Sequence, residues 1–174
     1  MQATERGPEV RYSFQLTSAL ASDVLFDLLA DPQGCLSWHA HPKGMEVRSV
    51  DAAPGAALAG AELMTEGTLR GLPFVCRTRV VDAERPRVYA TASETTFPRS
   101  TYKSVSATER YVLEPCDSGT LISYLSTATR ELRGVPYIRP FLKIYDRFFG
   151  TVAARQCVVD FIRSAERHIK GLAA

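Results

Sequence analysis

The chain has 174 residues, 45% of them hydrophobic and 23% charged, and its 21 basic and 19 acidic side chains leave a formal net charge of +2. That length suits one domain burying about 70% of the surface its unfolded chain exposes, enough for a core and a pocket. The charge balance lacks the clustered basic excess of nucleic-acid binders, and no apolar run approaches the roughly 20 residues of a membrane span.

A single domain is expected over residues 1–174, with 1–9 a polar lead-in. The opening residues show no apolar stretch behind a basic start, as a signal peptide would, so the cytoplasm is the expected compartment. The four cysteines at 35, 76, 116 and 157 are nearly evenly spaced, but their neighbours share no pattern. No Cys-x-x-Cys pair occurs, which argues for reduced thiols rather than a zinc knuckle or redox motif.

In chain order, residues 10–18 alternate as a strand with Val10, Tyr12, Phe14 and Leu16 on one face. Ser22 and Asp23 supply N-cap chemistry for a short helix from Val24 to Ala30. Asp31-Pro32 ends it, because the residue before proline is pushed out of the α region, and Pro32 opens a second short helix through Leu36 and Trp38. Six strands are predicted at about 44–51, 57–70, 73–83, 87–97, 103–114 and 120–133, separated by proline- and glycine-bearing turns. Turns this short join antiparallel neighbours. From Pro140 to Lys170 the period changes to three and four residues, through Phe141, Tyr145, Phe148, Val152, Val159, Ile162 and Ala165, predicting a long amphipathic helix. Gly150 stands out within it, since a glycine inside a helix costs roughly 1 kcal/mol relative to alanine. It marks either a bend or a close approach of strand or ligand. A curved antiparallel sheet with a long helix across its mouth leaves a cavity between them.

The same faces supply candidate site residues. Val105, Ala107, Glu109, Tyr111 and Leu113 share one face of 103–114, while Ile122, Tyr124, Ser126 and Ala128 lead to Arg130 on the next strand. Glu109 and Arg130 are either a pair lining the pocket or strand-end residues reaching water. Phe74, Tyr111, Tyr124, Phe141, Tyr145 and Phe148 are large side chains on inward faces of strands and helix, and are expected to line the cavity. His39 and His41 point the same way in an extended stretch, but a catalytic zinc needs a third ligand that no motif supplies, so no metal is expected. No cofactor is expected either: serine-hydrolase, dinucleotide and phosphate-loop motifs are absent from the sequence. The basic residues along the helix are a solvated face or a weak membrane-surface contact, without stable insertion.

The order β-αα-β6-α is joined by several local phrases: Ala21 to Pro32, Trp38, Pro54-Gly55, Arg79 to Arg87, and Tyr111 to Pro115 before Gly119-Thr120. Together they resemble the START-like (SRPBCC) superfamily of helix-grip proteins, in its polyketide cyclase/dehydrase and lipid-transport-like branch. The resemblance implies an α+β fold whose curved seven-stranded antiparallel sheet wraps a long C-terminal helix around an internal cavity. It also implies a hydrophobic or amphipathic ligand, and it places Trp38 in the second short helix, sealing one end of the cavity or packing in the core. Members differ in activity, so three readings stand: a carrier-like binder of a lipid- or polyketide-like molecule, an aromatase/cyclase-type enzyme with unassigned catalytic residues, or an interaction module with a vestigial cavity. A monomer or homodimer is expected.

Overall fold

The computed structural model describes residues 5–6, 9–39, 41, 43–98, 102–132 and 151–172. Strand β1 (Val10–Ser18) leads into helices α1 (Ser22–Leu29) and α2 (Pro32–Trp38). Strands β2 (Met45–Ala52), β3 (Glu62–Leu69), β4 (Leu72–Glu84), β5 (Val88–Thr96), β6 (Tyr102–Cys116) and β7 (Gly119–Leu132) follow. Helix α3 spans Thr151–Leu172.

The strands form one antiparallel sheet in the order β1-β7-β6-β5-β4-β3-β2, with the two-residue piece Glu5–Arg6 continuing the β1 edge along β7. Because the connections are short turns, each strand lies beside its sequence neighbour; β1 closes onto the last strand instead, and the helices leave from that edge. In β7 the alternation is regular: Ile122, Tyr124, Ser126 and Ala128 are buried and the residues between them are half-buried. A bulge in β4 between Val80 and Asp82 leaves Val81 52% exposed and turns Ala83 inward. A second bulge lies in β2 between Val47 and Ser49, and such extra residues bend strands and increase twist.

The core gathers at one end of the inward face. Leu25, Phe26 and Ala30 from α1 and the adjoining turn meet Val80, Tyr89, Leu113, Ile122 and Tyr124 from the sheet, closed by Val158 and Ile162 of α3. Phe26 meets the Tyr89 ring edge-on at 5.7 Å, a favoured aromatic geometry. A bidentate pair from Arg85 to Asp27, at 2.8 and 2.9 Å, ties α1 to the β4–β5 turn. Both side chains are exposed and screened by solvent, so the pair adds little to stability.

Some sequence expectations change. The N-cap of α1 is Ala21 without a side-chain cap; Ser22 is already helical, and Asp23 accepts from the Val24 amide instead. The α2 expectation holds, since Asp31 caps it by accepting from Gly34 N–H at 2.9 Å, with Pro32 in the first turn. Residues 57–61 precede β3 rather than belonging to it. Ala57 N–H bonds the Ala30 carbonyl, and Gly60, at φ 90°, donates to Val80, which anchors the segment to α1 and β4 as a loop. On α3 it is Val158, not Val159, that is buried, and Val152 is 66% exposed. Phe141, Tyr145, Phe148 and Gly150 lie outside the described residues.

Candidate functional site: the inward face of the central strands

Cross-strand register assembles the site. Glu109 faces Thr91 on one side and Ser126 on the other; Tyr111 faces Tyr89 and Tyr124, and Tyr124 faces Phe14 on β1. The rings interlock, with Phe14 stacked on Tyr124 at 4.8 Å and Tyr111 edge-on to Tyr124 at 5.0 Å. Tyr124 Oη donates to Glu109 Oε1 at 2.7 Å.

Burial pushes the Glu109 carboxyl above the usual carboxylate range, opposed by the Tyr124 hydrogen bond. Desolvation, followed by the neighbouring Glu109 charge, likewise raises Tyr111 and Tyr124. Burial drives Tyr89 up to about 12. Cys157 of α3 is electrostatically coupled to Glu109, Tyr111 and Tyr124, and desolvation raises its thiol too. Each of these shifts favours the neutral form of its group.

The face is not fully covered. Val105, Ala107, Glu109, Tyr111, Thr91 and Ser93 point inward, yet each is only half-buried, whereas Leu113 and Ile122 at the core end are sealed. Glu109 is surrounded by protein and still retains some accessible surface. Helix α3 packs against β1 and α2 and reaches the core through Val158 and Ile162, while Val152 is exposed.

At the other helix, Trp38 closes a seam between α2 and α3. Its ring lies 5.3 Å from Phe161 and stacks on His168 at 5.4 Å. His39 contacts Phe161 at 5.3 Å and His41 at 4.7 Å, so all three histidines of the chain gather around Trp38 and Phe161. Among the described residues, no group of three His, Cys, Asp or Glu side chains is placed to hold a metal. Among the described residues His39 Nε2 is buried without a hydrogen-bond partner, and burial, assisted by His41, lowers His39 to about 4 against the opposing pull of Asp160.

Of the residues expected at the site, Tyr111, Tyr124 and Glu109 come together, and Trp38 caps the α2 end. Phe74 is buried against Gly67 and Phe97 on the same face but farther across the sheet. Arg130 faces Val105, with the Ala107–Ala128 pair between it and Glu109, and the hydrogen-bond partner of Glu109 is Tyr124. Phe161, His168, Tyr89 and Cys157 escape a strand-by-strand or helix-by-helix reading, because only docking brings them here. The position of Phe161, three residues after buried Val158, was the available signal. An open groove of about 630 Å³ lies on the opposite sheet face beside Asp51, Met64, Arg77 and Glu94. Its alternating charges on an open surface make it a solvated face rather than an apolar pocket.

No protein-family model matches the chain, and no curated protein matches it. Solved structures do. An uncharacterised protein from Rhizobium leguminosarum superposes with a TM-score of 0.72 at 10% identity, over 95% of this chain and 99% of that one. A protein of unknown function from Staphylococcus aureus does so with a TM-score of 0.67 at 9% identity, over 96% of this chain and 98% of that one. Ara h 8.0201 is similar with a TM-score of 0.55 at 14% identity, over 94% and 99% of the two chains. At such identities the likeness is one of architecture: the chain has the α+β helix-grip fold of Bet v 1-like proteins, with a curved seven-stranded antiparallel sheet and a C-terminal helix.

Proposed function

We propose that the protein binds a hydrophobic or amphipathic small molecule, lipid- or polyketide-like, between the inward face of β5–β7 and α3. The observation behind this reading is the half-buried inward row Val105, Ala107, Glu109 and Tyr111, beside a core sealed only at the Leu113–Ile122 end. Apolar surface left accessible inside a fold, with a few convergent polar groups, is the usual composition of a ligand site. Trp38, Phe74, Glu109, Tyr111, Tyr124 and Arg130 are its proposed residues, joined by Phe141, Tyr145 and Phe148 from the sequence pattern. The START-like polyketide cyclase and lipid-transport-like branch is consistent with the phrases that suggested it, and a cytoplasmic monomer or homodimer completes the proposal. No described helix is long and apolar enough to cross a membrane. Native mass spectrometry of freshly purified protein tests the reading: a co-purified apolar molecule is expected. Protein that is empty and takes up no apolar probe contradicts it.

An aromatase/cyclase-type enzyme using the same cavity is the second reading, and one observation favours it. A buried carboxyl shifted toward its neutral form beside a tyrosine is suited to proton transfer at a carbonyl compound. Turnover of a poly-β-ketone chain, lost in Glu109→Gln, is the expected sign of that activity.

A further inference from the structure

We propose that His39 is a proton-operated latch: its protonation frees the C-terminal end of α2 from α3 and opens the Trp38 end of the cavity to ligand exchange, while the sheet stays folded. The latch rests on the seam between the two helices; the exchange rests on the binding reading above.

His39 Nε2 is closed to solvent and, among the described residues, has no hydrogen-bond partner. A neutral imidazole carries one N–H and an imidazolium two, so acid leaves an N–H at Nε2 whichever tautomer precedes it. That N–H would meet neither an acceptor nor water, and a buried charged donor left unpaired is costly. The surroundings do not offset it. Phe161 of α3 meets the ring at 5.3 Å, and His41, a cation itself once protonated, lies at 4.7 Å. His168 of α3 stacks on Trp38 at 5.4 Å and adds a further positive charge to the same seam in acid. Asp160 of α3 favours the charged ring, but it makes no hydrogen bond to Nε2, and its Oδ1 accepts from Gln156 at 2.7 Å. Arg163, Glu166, Arg167 and Lys170 line a surface groove with Asp160, the cations among them exposed. Parting the helices gives Nε2 water as its acceptor.

The seam is built to give way locally. Helix α2 contributes no buried residue, and its end meets α3 through the rings of Trp38 and the adjoining His39 against Phe161 and His168. Helix α3 is held independently of them, by Val158 and Ile162 in the core and by the Glu166 carboxyl, which accepts from Ser18 and Ala19. Segments with few buried contacts open at a lower free energy than the whole domain unfolds. Loss of the ring contacts therefore releases the α2 end and leaves α3 on the sheet.

Trp38 is the single tryptophan of the chain, so its emission maximum reports the seam. We expect that maximum to move to the red as pH falls from about 6.5 toward about 4, with the far-UV circular dichroism unchanged. Over the same range bound diphenylhexatriene, a hydrocarbon probe, should pass faster into excess phosphatidylcholine vesicles. His39→Asn, which does not titrate, should lose both changes, and Asp160→Asn, which removes the carboxylate favouring the charged ring, should move the red shift to lower pH. No red shift, one unaltered in His39→Asn, or one that coincides with loss of the dichroism signal overturns the latch. If His39→Asn does not fold, Asp160→Asn decides, and an unmoved transition overturns it. A complete red shift without faster probe release overturns the gating of exchange and leaves the cavity reading intact. A probe that does not bind at neutral pH overturns the cavity reading, and the exchange with it, while the emission shift still decides the latch.

Discussion

Glu166 on α3 and Ser18 at the end of β1, 148 positions apart in the sequence, are joined by a 2.7 Å hydrogen bond from Ser18 Oγ to Glu166 Oε1. The same oxygen accepts the Ala19 amide at 2.9 Å. One carboxyl thus fastens the C-terminal helix to the turn where the chain leaves its first strand, on the edge along which α3 packs. Ser18 is buried, so removing the acceptor leaves a polar group without its partner. Glu166→Ala is expected to lower stability by about 1.5–3 kcal/mol, as hydrogen bonds to charged groups do. The urea unfolding midpoint measures it, and an unchanged midpoint would contradict the fastening role.

Gly67 answers a packing demand. It lies opposite Phe74, and a Cβ there would strike the Glu46 carbonyl oxygen and the Phe74 ring. Gly67→Ala should therefore destabilise by about 1–3 kcal/mol through overpacking, despite the lower backbone entropy cost of alanine. Thermal unfolding reads the sign: a raised melting temperature would show that the strand accommodates the methyl.

The histidine seam predicts loss of stability in acid. Burial lowers both His39 and His41, with His39 held at about 4 against an ordinary value of 6.5. The unfolded chain then takes up protons that the folded chain refuses as pH falls from about 6.5 toward 4, and stability falls with it. Above that window the contribution of the neutral form is fully present. Melting temperatures measured across the window should decline, and His39→Asn, which does not titrate, should decline less steeply. Equal slopes would place the acid sensitivity elsewhere.

Ligand binding should have the opposite pH sign. Glu109 donates a hydrogen bond only when protonated, so the affinity of an uncharged carbonyl ligand such as methyl laurate should fall as pH rises through its elevated pKa. The titratable groups around it are Tyr89 from β5, Tyr111 on β6, Tyr124 from β7 and Cys157 from α3, all raised by burial so that they remain neutral longer. Glu109→Gln keeps a neutral donor and should flatten the profile. Displacement titrations of methyl laurate across pH test this, and a profile unaltered in the glutamine variant would assign the titration to another group.

The amino-acid sequence alone determined what depends on neighbours along the chain. Alternation from Gly119 to Leu132, the stop at Asp31-Pro32 and the three-four period of the last helix are local; the strand and the second helix lie within a few residues of their expected bounds, and the last helix ends at Leu172 against an expected Lys170, its expected start at Pro140 lying outside the described residues. The inward placement of Glu109, Tyr111 and Tyr124 was legible for the same reason, because parity within a strand fixes its face. Tertiary structure decided the rest. Val80-Val81 reads as continuous strand, yet a bulge there reverses which side Asp82 and Ala83 take, and Arg110 then meets Asp82 outside at 2.9 Å. Parity put Glu109 and Arg130 on one face without saying whether they pair; the β6–β7 register sets the Ala107–Ala128 pair between them, and Tyr124 hydrogen-bonds Glu109. The gathering of His39, His41 and His168 around Trp38 and Phe161 exists only because α3 docks on α2. Periodicity is carried by consecutive residues, whereas partner choice is set by strand register and helix docking, where contacts distant in sequence compete and the best-packed arrangement prevails.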